Sequence, residues 1–288
     1  MARRAVRGVE GWVPVLLPGG YVDKGGEIHS EAELALLDGA DEELLADARP
    51  DACVASLTTL LLAQCLRRIG TIRRITPTLV RSLLVEDRDY LMIRLRAAAL
   101  GPVMWVTLKC PHCDCGKTMD VKLVLDELAV ERRPVTERRF ALDGDPPIEF
   151  RLPVGDDQEW AASCGIGDPA ALRIGMLARC LGRDADAVAA LGEATCDAIE
   201  SRMEQLVPDV IPELSAECPE CELPLTARLD LPFLILGELK AHACRLEREI
   251  HLLAWNYKWS EREILRLPRH KRERYVTLIE DELEARST

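Results

Sequence analysis

The sequence predicts an α+β fold that is predominantly α-helical, with a small β ribbon and short hairpins. Three observations point there. Apolar residues make up 48% of the 288 positions but aromatics only 4%, so the core must be built from Leu, Ile, Val and Ala. Apolar residues recur at helical spacing through three long blocks, 51–100, 155–207 and 236–285. Between those blocks the pattern turns extended on either side of two cysteine clusters and one Pro/Gly-rich turn.

Taken in order, VPVLL and YVDKGGEIH at 11–30 read as a short β element with turns at Gly19-Gly20 and Gly25-Gly26. Residues 31–48 are acidic and read as helix. ASLTTLLLAQCLRRI reads as one helix, with Leu57, Leu60, Leu61, Cys65 and Leu66 on its apolar side. Thr76 is placed to cap the next helix, and Pro77 suits its first position, where a missing N–H costs nothing. EDRDYLMIRLRAAALGP forms a third, stopped by Gly101-Pro102. Arg88, Arg94 and Arg96 on it could form an ion-paired face, but a solvated helix surface is the favoured reading. VMWVTL and KTMDVKLVL flank a cysteine knuckle as strands, 126–137 is a connection, and ERRFALDGDPPIEFRLP is a hairpin. Asp156-Asp157 then opens the first of several short helices, where helix capping explains the pair better than acid–base chemistry. In the last block Ser260 and Glu263 fit a capping box, with Trp259 and Ile264 as its hydrophobic staple. A final helix carries Tyr275, Leu278, Ile279 and Leu283 on one face.

The net charge of −12 disfavours general nucleic-acid binding, because an acidic chain repels phosphate. No apolar stretch is long enough for a signal peptide or a membrane span, so neither secretion nor membrane insertion is expected. A chain with eleven cysteines and no export signal is not expected to carry a disulfide framework. Most of the scattered cysteines (Cys53, Cys65, Cys115, Cys164, Cys180, Cys196, Cys244) read as small buried hydrophobes.

The remaining four cysteines carry chemistry. LKCPHCDCG contains Cys110 and Cys113, and ECPECELPL contains Cys218 and Cys221. Laid on one another without a gap, CPHC meets CPEC, Thr118 meets Thr226, Leu123 meets Leu231 and Leu125 meets Phe233. Each CxxC is followed by an apolar run read as a strand. Two such knuckles can offer four thiolates to one ion, which makes the β element a split zinc ribbon. A closed tetrahedral sulfur shell suits structural zinc. Iron accepts four thiolates too and is the less favoured metal. A thioredoxin-like redox pair normally opens a helix, whereas these residues look extended. Cys115 falls on Leu223 in the ungapped match and is left outside the shell.

Nothing else carries a catalytic pattern. There is no HExxH, no GxGxxG after a strand, no phosphate loop and no GxSxG, so no enzyme is expected. The run RLPRHKRERY is the best case for nucleic acid, yet it shares a helix with an apolar face and precedes EDELE. A solvated helix or a protein-docking surface is the better reading. With Trp255, Tyr257 and Trp259, the residues Arg266, Arg269 and Arg272 form a candidate partner surface. The aromatic triplet reads first as packing of a helix break.

The block LTTLLLAQCLRRIG…ITPTLVRSLLVEDRDYLMIRLRAAALGPVMWVTLKCPHC resembles the baseplate protein family typified by T-even phage baseplate hub proteins, in which a helical DRDYL…RLR stretch runs into a cysteine knuckle. RRFALDGDPPIEFRLPVGDD is similar to that family's middle hairpin. EIHLLAWNYKWSEREILRLPRHKRERY and LPGGYVDKGGEIH are similar to segments of proteins from phage-tail and contractile-injection gene clusters. The helices of 155–207 add nothing to the resemblance. The resemblance implies a non-enzymatic part of a baseplate hub, or an assembly chaperone absent from the finished particle. The implied partners are baseplate, spike/hub or tape-measure proteins of a contractile tail. The implied location is the bacterial cytoplasm during assembly, then the particle's baseplate. A zinc-ribbon nucleic-acid-binding protein is the competing class. The expected organisation is an N-terminal hairpin and acidic helix arm (1–50) and a helical core with the split ribbon (51–125 plus 208–235). A hairpin and helical insertion (126–207) and a C-terminal helical segment (236–288) complete it.

Overall fold

The computed structural model describes residues 11–49, 52–112, 115–210 and 214–287. About 49% of the described residues are helix and 21% strand in small sheets, an α+β fold dominated by helix.

Strands β1 (Trp12–Val22) and β2 (Ile28–Ala35) form an antiparallel hairpin. Strand β2 runs through the first part of the segment read as helix. Helix α1 (Gly39–Ala46) starts only at its cap, Asp38, whose carboxylate accepts the N–H groups of Ala40 and Asp41. Helix α2 (Val54–Cys65) is shorter than its apolar pattern. LRRI leaves it as strand β3 (Leu66–Ile69), which pairs with β2 and completes a β1-β2-β3 sheet. Pairing wins because it satisfies the backbone groups at the sheet edge while Leu66 and Ile69 stay buried. Thr76 caps α3 (Pro77–Arg81) as expected. Helix α4 (Val85–Leu100) ends at Gly101, whose φ of +89° few other residues tolerate.

Strands β4 (Val103–Lys109) and β5 (Thr118–Val124) make the first ribbon, which ends in a 3₁₀ turn at Leu125–Glu127. Strands β6 (Phe140–Leu142) and β7 (Ile148–Phe150) form the anticipated hairpin. Helices α5 (Gly155–Ser163), α6 (Pro169–Leu181), α7 (Ala185–Ala189) and α8 (Glu193–Leu206) follow. The second ribbon is β8 (Leu214–Glu217) with β9 (Pro224–Ala227). The run after it, LPFLIL, was expected to be strand and is instead the start of α9 (Leu231–Ala243), capped by Asp230. Helices α10 (Leu246–Tyr257), α11 (Glu261–Leu265) and α12 (Arg269–Ser287) close the described chain, with Ser260 and Glu263 forming the capping box.

Four apolar clusters organise these elements. The main one joins the β1-β2-β3 sheet to α2, α4, α9 and the inner face of the first ribbon, through Leu34, Leu62, Leu91, Met104 and Ile235 among others. The N-terminal hairpin is thus part of this core. A second cluster gathers Phe150, Leu177, Leu181, Val188 and Ile199 from α6, α7, α8 and β7. A third lies between the ribbons, and a fourth between α10, α11 and α12.

Buried arginines tie the helices together, against the expectation of a solvated arginine face on α4. Arg88 is fully buried. It donates to Gln158 Oε1 (3.0 Å), Thr59 Oγ1 (2.9 Å) and the carbonyl oxygens of Val80 (3.1 Å) and Ala55 (2.9 Å), joining α2 to α5. Burial pulls its pKa down to about 10. A side chain at Gly155 would collide with this guanidinium, which explains glycine at that position. Arg96, 2% exposed, pairs with both carboxylate oxygens of Glu238 at 2.9 and 2.7 Å and locks α4 to α9. Arg94 pairs with Asp126.

Candidate metal centre

Each ribbon ends in a knuckle. In the first, Lys109 pairs with Thr118 and the loop between them carries Cys110 and Cys115. Cys110 N–H donates to Lys117 O at 2.8 Å, and Cys115 and Gly116 N–H both donate to His112 O. In the second, Glu217 pairs with Pro224, Cys218 N–H donates to Leu223 O at 3.0 Å, and Glu222 N–H donates to Cys218 O at 2.8 Å. The loops face each other, and His112 Nε2–H donates across to Pro224 O at 3.1 Å. Met119 and Leu225 shield the meeting point, where Cys110 and Cys218 are almost wholly buried.

The thiols of Cys110, Cys115, Cys218 and Cys221 all lie within 4.8 Å of one another. Cys110 Sγ is 3.8 Å from Cys221 Sγ, and Cys115 Sγ is 3.7 Å from Cys218 Sγ. Disulfide sulfurs would lie about 2.05 Å apart. Four sulfurs each about 2.3 Å from a central zinc sit about 3.8 Å apart along a tetrahedron's edge. The spacing therefore fits a shared ion. Backbone N–H groups of Cys221 and Glu220 hold the Cys218 thiol down to about 6, while burial pushes Cys110 up to about 12. Four adjoining thiols cannot all ionise beside one another unaided, and a divalent cation would remove that conflict.

Three of the expected ligands, Cys110, Cys218 and Cys221, meet here. The fourth, Cys113, lies outside the described residues. Cys115, expected to stand apart, is drawn into the cluster. The cue for it in the sequence is the glycine that follows: Gly116 supplies a φ of +58° that turns the chain back into β5. Of the scattered cysteines, Cys65, Cys180 and Cys196 are buried as expected, Cys53 and Cys164 half-buried and Cys244 exposed. A second convergence, Asp23, Glu27 and His29, belongs to the β1–β2 turn. Asp23 accepts the N–H groups of Gly25 and Glu27, and its other oxygen lies 3.4 Å from His29 Nε2.

The candidate partner surface divides. Tyr257 and Trp259 stack at 4.9 Å, and Tyr275 meets both edge-on, so these rings pack the helix break. Arg272 is fully buried, donating to Glu42, Glu249 and Leu267 O, and so offers nothing to a partner. Arg269 is 7% exposed and pairs with Glu273 and His242. Trp255, 70% exposed with Lys258 Nζ 5.0 Å above its ring, and Arg266 remain on the surface. The Asp156-Asp157 pair, read from the sequence as helix capping, separates likewise. Asp157 is buried, receiving Val154 N–H and ion-pairing with Arg151 and Arg179, while Asp156 pairs with Arg179.

No helix among the described residues is long and apolar enough to cross a membrane. No curated protein and no solved structure shows significant similarity to the chain. A sequence model of one family, described as T4 bacteriophage base plate protein, matches residues 38–182. That span runs from α1 to the end of α6 and takes in the DRDYL helix, the first knuckle and the hairpin. With half of the chain matched, the protein belongs to the T4 bacteriophage base plate protein family.

Proposed function

We propose that the protein is a non-enzymatic structural or assembly component of the baseplate hub in a contractile phage tail or injection device. The observation that carries this reading is the family match over 38–182, which spans much of the two large apolar clusters and the helix–knuckle junction. Its partners in this reading are the other baseplate proteins, the spike and hub, or the tape measure. Within the chain, a structural zinc bridges the two knuckles. Cys110, Cys218 and Cys221 hold it, with a fourth thiolate from the first loop. Such an ion closes its own shell and contributes folding free energy rather than catalysis.

The basic run at 266–275 lends little to a nucleic-acid reading, since Arg272 is committed to the buried Glu42 and Glu249 and Arg269 to Glu273 on its own helix. The decisive experiment deletes the gene in its native phage or host and images the particles by electron microscopy. Particles without assembled baseplates are expected, and normal baseplates would overturn the reading. Mass spectrometry of purified wild-type particles then separates a resident subunit from an assembly factor that leaves. Tight, salt-dependent gel-shift binding of DNA or RNA would favour the nucleic-acid class instead.

A further inference from the structure

The two knuckles differ in length by two residues, and that difference decides which sulfur completes the shell. The closing strand pairs are Lys109 with Thr118 and Glu217 with Pro224. They enclose residues 110–117 in the first loop and 218–223 in the second. An ungapped match anchored on Cys110 and Cys218 sets Cys113 on Cys221 but slips by two residues at the far side, placing Thr118 on Thr226. Anchored on the far side, the loops agree residue by residue. The closing carbonyl belongs to Lys117 in one and Leu223 in the other. The residue before it is left-handed in both, Gly116 at φ +58° and Glu222 at φ +57°. The residue before that is Cys115 in one and Cys221 in the other, and the return strand begins three residues later in each.

We propose that Cys115 is the counterpart of Cys221 and supplies the fourth thiolate of the metal site, with Cys110, Cys218 and Cys221. The left-handed turn and the closing hydrogen bond fix where the preceding side chain projects, so the sulfur position follows the far side of the loop, not the CxxC spacing. The 3.7 Å separation of Cys115 Sγ from Cys218 Sγ matches the 3.8 Å of Cys110 Sγ from Cys221 Sγ. Both are close to the edge of a zinc–sulfur tetrahedron. The first loop then spans its ion with CxxxxC, and Cys113 is a reserve thiol inside it. On binding, each protonated thiol releases its proton to solvent and the sulfur lone pair coordinates the ion.

This assignment rests on the cluster being a metal site, and the test keeps the two apart. The reduced full-length protein is loaded with about one equivalent of zinc, treated briefly with a maleimide, and mapped by peptide mass spectrometry. Expected is modification of Cys113 with Cys110, Cys115, Cys218 and Cys221 protected, and protection lost on chelation. Modification of Cys115 with Cys113 protected overturns the assignment while leaving the metal reading intact. Wild-type protein that takes up neither zinc nor cobalt overturns both. The variants provide a second readout by cobalt absorption. Cys113→Ser should keep the intense four-thiolate bands, and Cys115→Ser should lose the ion or fall to weaker three-thiolate bands. If both variants keep four-thiolate spectra, the two thiols are interchangeable and the assignment fails. Because the footprint uses wild-type protein, it holds even if a variant does not fold.

Discussion

Around α2 and α4, Leu61, Leu62, Leu91, Met92, Ile93 and Leu95 are fully shielded from solvent, and the sheet and α9 close over them. Between the two ribbons, only Cys110, Met119, Cys218 and Leu225 are buried among the described residues, and two of these are thiols. The first region has enough aliphatic surface to hold itself together, at about 1.5–3 kcal/mol for each fully buried side chain. The second does not, since short two-stranded hairpins are marginal alone. In the proposed reading its cohesion comes from an ion that bridges the loops. The comparison also crosses the family boundary: the first knuckle lies within the matched span 38–182, and the second lies beyond it. A shared ion would tie the family's core to the chain that follows, which leads directly into α9.

The largest effect should come from removing the ion. Structural zinc in isolated fingers contributes about 10–16 kcal/mol of apparent binding free energy. Chelation, or Cys218→Ser, should expose the amides of β8, β9 and the knuckle end of the first ribbon to hydrogen exchange while α2, α4 and the part of β4 and β5 packed on them stay protected. Equal loss of protection in both regions would mean that they form one cooperative unit, and no change in either would show that the ribbons need no ion. Falling pH should act in the same direction, because metal uptake requires the thiols to give up their protons.

The converse change is Leu62→Ala. It empties a fully buried site against the sheet and should cost about 2–5 kcal/mol, read as a lower denaturant midpoint, with metal content unchanged. Loss of zinc with this variant would couple the two regions more tightly than their separate cores suggest.

What could be read from the sequence follows the same division. Helix α4 and the first ribbon were legible because periodicity and Gly101 mark their limits locally. Thr76 and Ser260 were legible as caps for the same reason. The misread elements are those decided by distant partners. LRRI continues a helical pattern, and only β2 makes it a strand. LPFLIL is apolar throughout, which periodicity alone leaves ambiguous, although Asp230 followed closely by Pro232 is a helix-start signal. Arg88 and Arg96 have the spacing of a solvated face. The acceptors that bury them sit on α2, α5 and α9. At the candidate metal centre, the repeated CxxC disclosed that two knuckles exist, but a two-residue difference in loop length hid the approach of Cys115 to the other three thiols.

The smallest effect expected concerns the charge held inside the larger core. Asp87, in the first turn of α4, is fully buried, and its Oδ1 accepts Gly19 N–H at 2.8 Å. Burial pushes its pKa up to about 7 against the opposing N–H groups of Gly19 and Gly20. Between about pH 4 and 7 the folded protein therefore binds a proton that the unfolded chain has already lost. The stability this gives is complete below about pH 4 and falls as pH rises toward 7, by an upper limit of about 4 kcal/mol. Glu86, raised to about 8, and Asp89, raised to about 7, act in the same direction. The lowered pKa of His242 opposes them just below the ordinary histidine range, and that of Asp157 acts only below the ordinary carboxylate range. Denaturant midpoints of the metal-free wild type, in which the opposing pH dependence of metal uptake is absent, should thus decline from pH 5 to pH 8, and Asp87→Asn should reduce that decline. An unchanged slope in the variant would mean that Asp87 stays ionised throughout. The larger core would then carry a buried charge held by the start of α4 and the Gly19 N–H, much as Cys218 in the smaller core is held by the N–H groups of its own loop.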